Sequence, residues 1–225
     1  MTETAPRIFI GVPSYGGWTR NACTQSLVRV VVALSSAGVK IGGKICDLQP
    51  IHDVRNMFGS LMVEQDFTHL LFVDNDMAFG QETVFKLIRA NKPIIGASYA
   101  RRKLPIESNV WSDTPPTEPL GTVLGVGMGL TLIETRVFRQ LAKRVPSREA
   151  PPHFRNQGLK GPLYRFFDHI YPDGGEISED LSFCARWREL CDGEVWALTG
   201  ERVGHIGDYI YALPVSRSGP IKKTE

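Results

Sequence analysis

The chain has 225 residues, 42% of them hydrophobic, with 26 basic and 24 acidic side chains and a net charge of +2. This suits one large domain with a substantial core, and so mild a basicity does not by itself imply nucleic acid or an anionic membrane as partner. No basic stretch followed by an apolar one opens the sequence, and no apolar run reaches the roughly 18 residues that cross a bilayer, so the expectation is a cytoplasmic protein without a membrane span.

In chain order, RIFIGVP (7–13) is a short apolar strand stopped by proline, and NACTQSLVRVVVALSSAG (21–38) follows as a helix closed by Gly38. KIGGKICD (40–47) alternates like a strand and DVRNMFGSLMVEQ (53–65) is helical. HLLFVD (69–74) is a third strand, QETVFKLIRAN (81–91) a third helix and PIIGASYA (93–100) a fourth strand. Strands separated by helices of about ten to eighteen residues predict a parallel sheet with right-handed crossovers, so the first half reads as a Rossmann-like α/β layer.

The rhythm breaks at the proline-rich TPPTEPLG (114–121). TVLGVGMGLTLIE (122–134) is a strand pair or one long bent strand, and TRVFRQLAKR (135–144) is a helix capped by Thr135. Residues 145–176 show little periodicity and many Pro, Gly and aromatic residues, which marks a functional or mobile stretch. SEDLSFCARWRELCDG (178–193) is a helix with Ser178 at its N-cap, and EVWALTGERVGHIGD (194–208) ends in strand and turn. Cys23, Cys46, Cys184 and Cys191 form no CxxC pair, which predicts reduced thiols rather than a zinc site or a disulfide framework.

Chemistry concentrates at three places. Asp74 and Asp76 end the third strand, and in open parallel sheets ligands bind outside the carboxyl ends of strands. Two carboxylates so close repel unless a cation neutralises them, and oxygen ligands favour a hard ion such as Mg²⁺ or Mn²⁺; an Asx-turn at a strand end is the plain structural alternative. Glu179 and Asp180 occupy the first turn of a helix, where acids complement the dipole, yet Leu181 stands where a capping box needs Glu or Gln. His205, between two glycines, reads either as a turn residue or as a nitrogen ligand.

The order of these features resembles the A-type (GT-A) glycosyltransferases, family 2-like members of the nucleotide-diphospho-sugar transferase superfamily. IGVPSYGG (10–17), DVRNMFGSLMVEQDFTHLLFVDNDM (53–77), PIIGASYARRK (93–103), GVGMG (125–129), SED (178–180) and GHIGD (204–208) carry the resemblance. It implies a GT-A fold with a central, mostly parallel sheet flanked by helices, formed by a single domain over 1–225. Within it, 1–103 would be the nucleotide-binding half, 104–213 the acceptor and catalytic half, and 214–225 a tail.

The resemblance also implies roles. Asp74, Asp76 and His205 would hold the metal, and the histidine favours Mn²⁺ over Mg²⁺. Pro13, Ser14, Tyr15, Arg55, Asn56, Asp74, Asn75 and Arg101 would face nucleotide and donor, with Arg102 beside Arg101 facing phosphate or acceptor. Gly127, Met128, Gly129 and Trp111 would border sugar and acceptor. In an inverting member Asp180 would be the general base and Glu179 the weaker candidate. The implied activity is transfer from a UDP- or GDP-sugar to a hydroxyl of a glycan, a protein or a modified DNA base, as in small bacterial or phage enzymes. Two other classes compete: a non-catalytic nucleotide-sugar or glycan binder on the same fold, and an aspartate-nucleophile phosphohydrolase. The latter fits poorly, because its Asp pair belongs on the first strand and the position two past the second Asp is here Ala78.

Overall fold

The computed structural model describes residues 6–114, 116–172, 175–207 and 209–213. Asp208 and the 214–225 tail, with its IKK cluster, lie outside the described residues. The elements run β1 Arg7–Pro13, α1 Asn21–Ser36, β2 Lys40–Cys46, α2 Ile51–Glu64, β3 His69–Val73, β4 Met77–Phe79, α3 Gln81–Ala90 and β5 Ile94–Ala97. They continue with β6 Val110–Trp111, β7 Leu120–Val123, β8 Gly125–Val126, β9 Leu130–Glu134, α4 Thr135–Leu141, β10 Ser147–Arg148 and α5 Pro152–Arg155. β11 Leu163–Tyr164, α6 Glu179–Cys191, β12 Val195–Leu198, β13 Val203–Ile206 and β14 Ile210–Ala212 complete the described chain.

The main sheet has the order β2-β1-β3-β9-β5-β12-β7. β1 pairs parallel with β2 and β3, and β12 parallel with β5, while β9 runs antiparallel between β3 and β5 and β7 antiparallel at the edge. The α/β class and the mostly uniform strand direction match the sequence reading. The departure from an all-parallel layer is β9, a strand from the second half of the chain that runs antiparallel between HLLFVD and PIIGASYA.

Period-two alternation divides each central strand between two cores. Phe9, Leu70 and Phe72 pack with Val54, Phe58 and Leu61 of α2, Phe138 of α4 and Phe183 of α6 on one face. Ile8, Ile10, Leu71 and Val73 pack with Val30 and Leu34 of α1 and Leu87 of α3 on the other.

Residues 145–176 differ most from expectation. Expected to be functional or mobile, the segment instead buries Phe154, Leu159, Leu163, Phe166 and Phe167 in the α2 face of the core. Phe167 stacks on Phe183 with ring centroids 4.3 Å apart. Irregular backbone can be buried here because polar side chains of α2 satisfy it: Phe167 N–H donates to Asn56 Oδ1 at 2.7 Å and Tyr164 N–H to Ser60 Oγ at 2.9 Å. Thr135 is not the cap of α4 either; Glu134 holds the N-cap position, and the buried Thr135 Oγ1 has no partner among the described residues. The cysteines are free, three of them buried. No helix among the described residues is long and apolar enough to cross a membrane.

Candidate functional site

β1 and β3 end side by side, and their carboxyl ends open on a cleft of about 330 Å³ lined by Pro13, Ser14, Tyr15, Gln49, Ile51, Asp74, Asn75, Asp76, Arg102 and His205. Ser14 is buried and its Oγ donates to Trp18 O at 2.9 Å, whereas Tyr15 is 70% exposed and offers a ring face. Asn75 staples this loop in place. Its Nδ2 donates to Trp18 O at 2.8 Å and its carbonyl accepts from Arg20 N–H at 2.9 Å, so the residue between the two aspartates shapes the cleft wall.

The strand that follows Asp76 determines what faces it. β4 pairs antiparallel with β13, setting His205 opposite Met77, and Ile206 N–H donates to Asp76 O at 2.8 Å. His205 Nε2 thereby comes within 3.4 Å of Asp76 Oδ1, and its Nδ1 lies 3.1 Å from Ala100 O. A carbonyl only accepts, so Nδ1 carries a hydrogen and Nε2 is the ring atom that faces the carboxylate. Nitrogen and oxygen at that distance are held together by a shared proton or by a cation between them. One nitrogen and one carboxylate oxygen, with the far nitrogen anchored to a carbonyl, are donors that could hold a divalent cation. Arg102 Nη1 meets the other oxygen, Asp76 Oδ2, at 2.9 Å. Against the upward push of burial, His205 and Arg102 hold the Asp76 carboxyl below the usual carboxylate range.

Asp74 faces the other way. Its Oδ1 accepts from Arg55 Nη2 at 2.9 Å, and Arg55, 2% exposed, also donates through Nη1 to Glu179 Oε1 at 2.8 Å and to Asp180 Oδ1. One guanidinium thus binds three carboxylates from β3 and the first turn of α6. Burial acts against the charge of Arg55, but the three acids raise its pKa further. Burial also pushes Asp180 up to about 7, with Arg55 pulling it down and the like charges of Glu179 and Asp74 adding to the rise. Asp180 Oδ2 accepts from Met128 N–H at 3.0 Å. Ser178 holds the N-cap position of α6 without a side-chain capping bond.

The glycines beside Met128 are set by Tyr99, buried, whose hydroxyl accepts from Gly129 N–H at 3.0 Å. A Cβ on Gly127 would lie 2.7 Å from that hydroxyl, and one on Gly129 would lie 2.6 Å from it. Gly127→Ala is therefore expected to cost about 1–3 kcal/mol of stability by overpacking, and less in a Tyr99→Phe background, where the clashing oxygen is gone. Additive costs in denaturant titrations of the double mutant would show that the contact does not matter.

The sequence candidates do not all meet in one place. Asn56 is buried away from the cleft, with its Nδ2 donating to Asp168 Oδ1 at 2.8 Å. Arg101 lies with its guanidinium 5.4 Å from the Trp111 ring and near Glu107, rather than in the cleft, and Trp111 pairs with Gly125 at the head of the glycine segment. Asp74, Asp76 and His205 do not form a closed three-ligand cluster. Among the described residues, the group whose ligand atoms all lie within 4.8 Å of one another is His52, Asp53 and Asp168, at the start of α2 and the end of the aromatic segment. Asp53 is paired with Arg148 and Asp168 with Arg165. A second cavity of about 290 Å³, bordered by Ser98, Ser108, Ser112, Thr199 and Glu201, has a single carboxylate, bound to Lys86 and Thr83. Tyr99 and the His52 group were invisible to sequence reasoning. Only the presence of polar residues in an apolar context, HDVRN and ASYA, marks them.

No known protein-family profile matches the chain, and no curated protein does. Among solved structures, A197 from STIV superposes with a TM-score of 0.55 at 15% identity, covering 96% of this chain and 99% of that one. At that identity the likeness is one of fold. A glycosyltransferase involved in the glycosylation of the major capsid of PBCV-1 gives a TM-score of 0.35 at 14% identity over 60% of this chain and 63% of that one.

Proposed function

We propose that this chain is a metal-dependent glycosyltransferase that moves a sugar from a nucleoside-diphosphate sugar to a hydroxyl acceptor with inversion. The observation that carries the reading is the convergence of Asp76 Oδ1 and His205 Nε2 at 3.4 Å in the cleft beside the exposed Tyr15 ring. Asp76 and His205 would hold the cation, with the nitrogen donor favouring Mn²⁺, and its charge would offset that developing on a pyrophosphate leaving group. Asp74, with Oδ1 held by Arg55, keeps Oδ2 for the ribose or the cation. Tyr15 would stack on the base.

Asp180 is the residue suited to remove the acceptor proton. A carboxylate whose pKa is pushed up to about 7 is a stronger base than an ordinary aspartate, half ionised at neutrality and largely ionised above it. Met128 N–H and Arg55 hold both its oxygens in orientation.

Titration of UDP and of GDP by calorimetry, with and without Mn²⁺, tests the donor side. Binding is expected to require the ion and to weaken at least about tenfold in Asp76→Asn and His205→Ala, the scale seen when a metal's supporting ligands are lost. Nucleotide binding indifferent to Mn²⁺ and to both substitutions would sink the reading.

A further inference from the structure

The acceptor side has a chemistry of its own. His52 precedes Arg55 by one helical turn on the same face of α2, and Arg55 holds Glu179 and Asp180. The His52 ring meets the His169 ring edge-on at 5.4 Å, and His169 Nδ1 lies 2.6 Å from Glu176 Oε1. Glu176 Oε1 also accepts from the Tyr171 hydroxyl at 3.2 Å. An antiparallel bridge between Ile170 and Ile177 ties the two arms of this segment together at the start of α6, and Ser182 Oγ anchors it through Ile170 N–H at 3.0 Å. Tyr171 and Glu176 stand just outside that bridge. Tyr171 is 71% exposed, so its hydroxyl is oriented while its ring face is open.

The charge of this rim excludes one acceptor class. Among the described residues Asp53, Asp168, Glu176, Glu179 and Asp180 contribute five carboxylates against four arginines: Arg148, Arg165 and Arg55 are each bound to one or more of them, and Arg186 donates to the Phe166 and Asp168 carbonyls. A phosphate-bearing acceptor needs cations that are not so engaged. The ARRK cluster does not supply them. Arg101 and Lys103 pair with Glu107, and Arg102 with Asp76 on the donor side. An open aromatic face beside carboxylate and imidazole acceptors is instead the combination that recognises a sugar ring, through stacking on its C–H face and bonds from its hydroxyls.

Building on the glycosyltransferase reading, we infer that the acceptor is a neutral carbohydrate seated on the Tyr171–Glu176–His169–His52 rim, not a nucleic acid or a phosphorylated lipid. In the transfer, a hydroxyl of that sugar gives its proton to Asp180 as its oxygen bonds to the anomeric carbon of the donor. The bond from that carbon to the diphosphate breaks, and the nucleoside diphosphate leaves with the electron pair.

The test uses the full chain with Mn²⁺ and UDP or GDP present. Saturation-transfer NMR against a panel of neutral mono- and disaccharides at millimolar concentration is run beside fluorescence anisotropy with a labelled single-stranded DNA. At least one neutral sugar is expected to bind, and Tyr171→Ala and Glu176→Gln are each expected to weaken it about tenfold, the size of one stacking face or charged bond, with nucleotide affinity unchanged. Salt-dependent DNA binding with no sugar bound, silence of the whole sugar panel, or sugar binding untouched by both substitutions would each overturn the inference. Because nucleotide affinity is read in the same samples, loss of the donor reading is seen separately.

Discussion

Asp180→Asn is expected to lower transfer by about 10²–10⁴-fold, the contribution of a positioned general base, while leaving Mn²⁺-dependent nucleotide binding in place. The same substitution should leave the fold as stable or make it more stable. Three carboxylates surround one buried guanidinium, and Asp180 has its pKa pushed up to about 7, chiefly by burial. Its folded pKa therefore exceeds its unfolded value, near 3.9 for an ordinary aspartate. The folded state then binds the extra proton between about pH 4 and pH 7. This stabilising contribution is fully present below the unfolded pKa and is lost as pH rises through about 7. Activity should follow the opposite trend, rising through about pH 7 as the base ionises. A variant that lost both activity and stability, or that kept full transfer, would remove Asp180 from the role of base. Product anomer analysis checks inversion independently.

Arg55→Ala should be the most damaging single substitution on stability. Deleting the cation leaves Asp74, Glu179 and Asp180 facing one another without their counterion, and breaking a buried ion pair from one side costs about 3–5 kcal/mol. Arg55→Lys should not restore function, since an ammonium cannot present two nitrogens along fixed directions to Asp74 and to the α6 acids. Equilibrium denaturation with transfer assays checks both. An Arg55→Ala protein with stability within about 1 kcal/mol of the parent would show that the acids do not depend on the guanidinium. Partial recovery of stability on adding Asp180→Asn to Arg55→Ala would place the cost in uncompensated charge rather than lost packing.

Much of the first half was legible because local pattern and tertiary role coincide there. β1 spans the residues that an apolar run stopped by proline predicts, and Asp74 and Asp76 lie at the cleft because they follow a buried strand of that sheet. The direction of β9 was not legible, since an apolar run looks the same whichever way it is threaded. Nor was the place of Arg55. Beside Asp53 near the start of a helix it reads as a surface or ligand-facing cation, and its partners are 19, 124 and 125 residues away. The aromatics of 145–176 misled in the opposite sense. Without periodicity they read as a functional or mobile stretch, yet Phe166 and Phe167 are buried, because Asn56 and Ser60 supply the backbone partners that a helix or sheet would otherwise provide.

The pairing of β13 with β4 has a consequence for how the protein comes into being. Asp76 obtains its nitrogen partner from His205, 129 residues later, through a ladder that only the finished β13 can form. Asp74 and Asp76 belong to the first half of the chain, at the end of β3. The His205 partner of Asp76, and the α6 acids that bind Arg55, arrive only once the polypeptide has been translated as far as β13. The cleft that Asp74 and Asp76 border is therefore completed last, by residues from the opposite end of the chain.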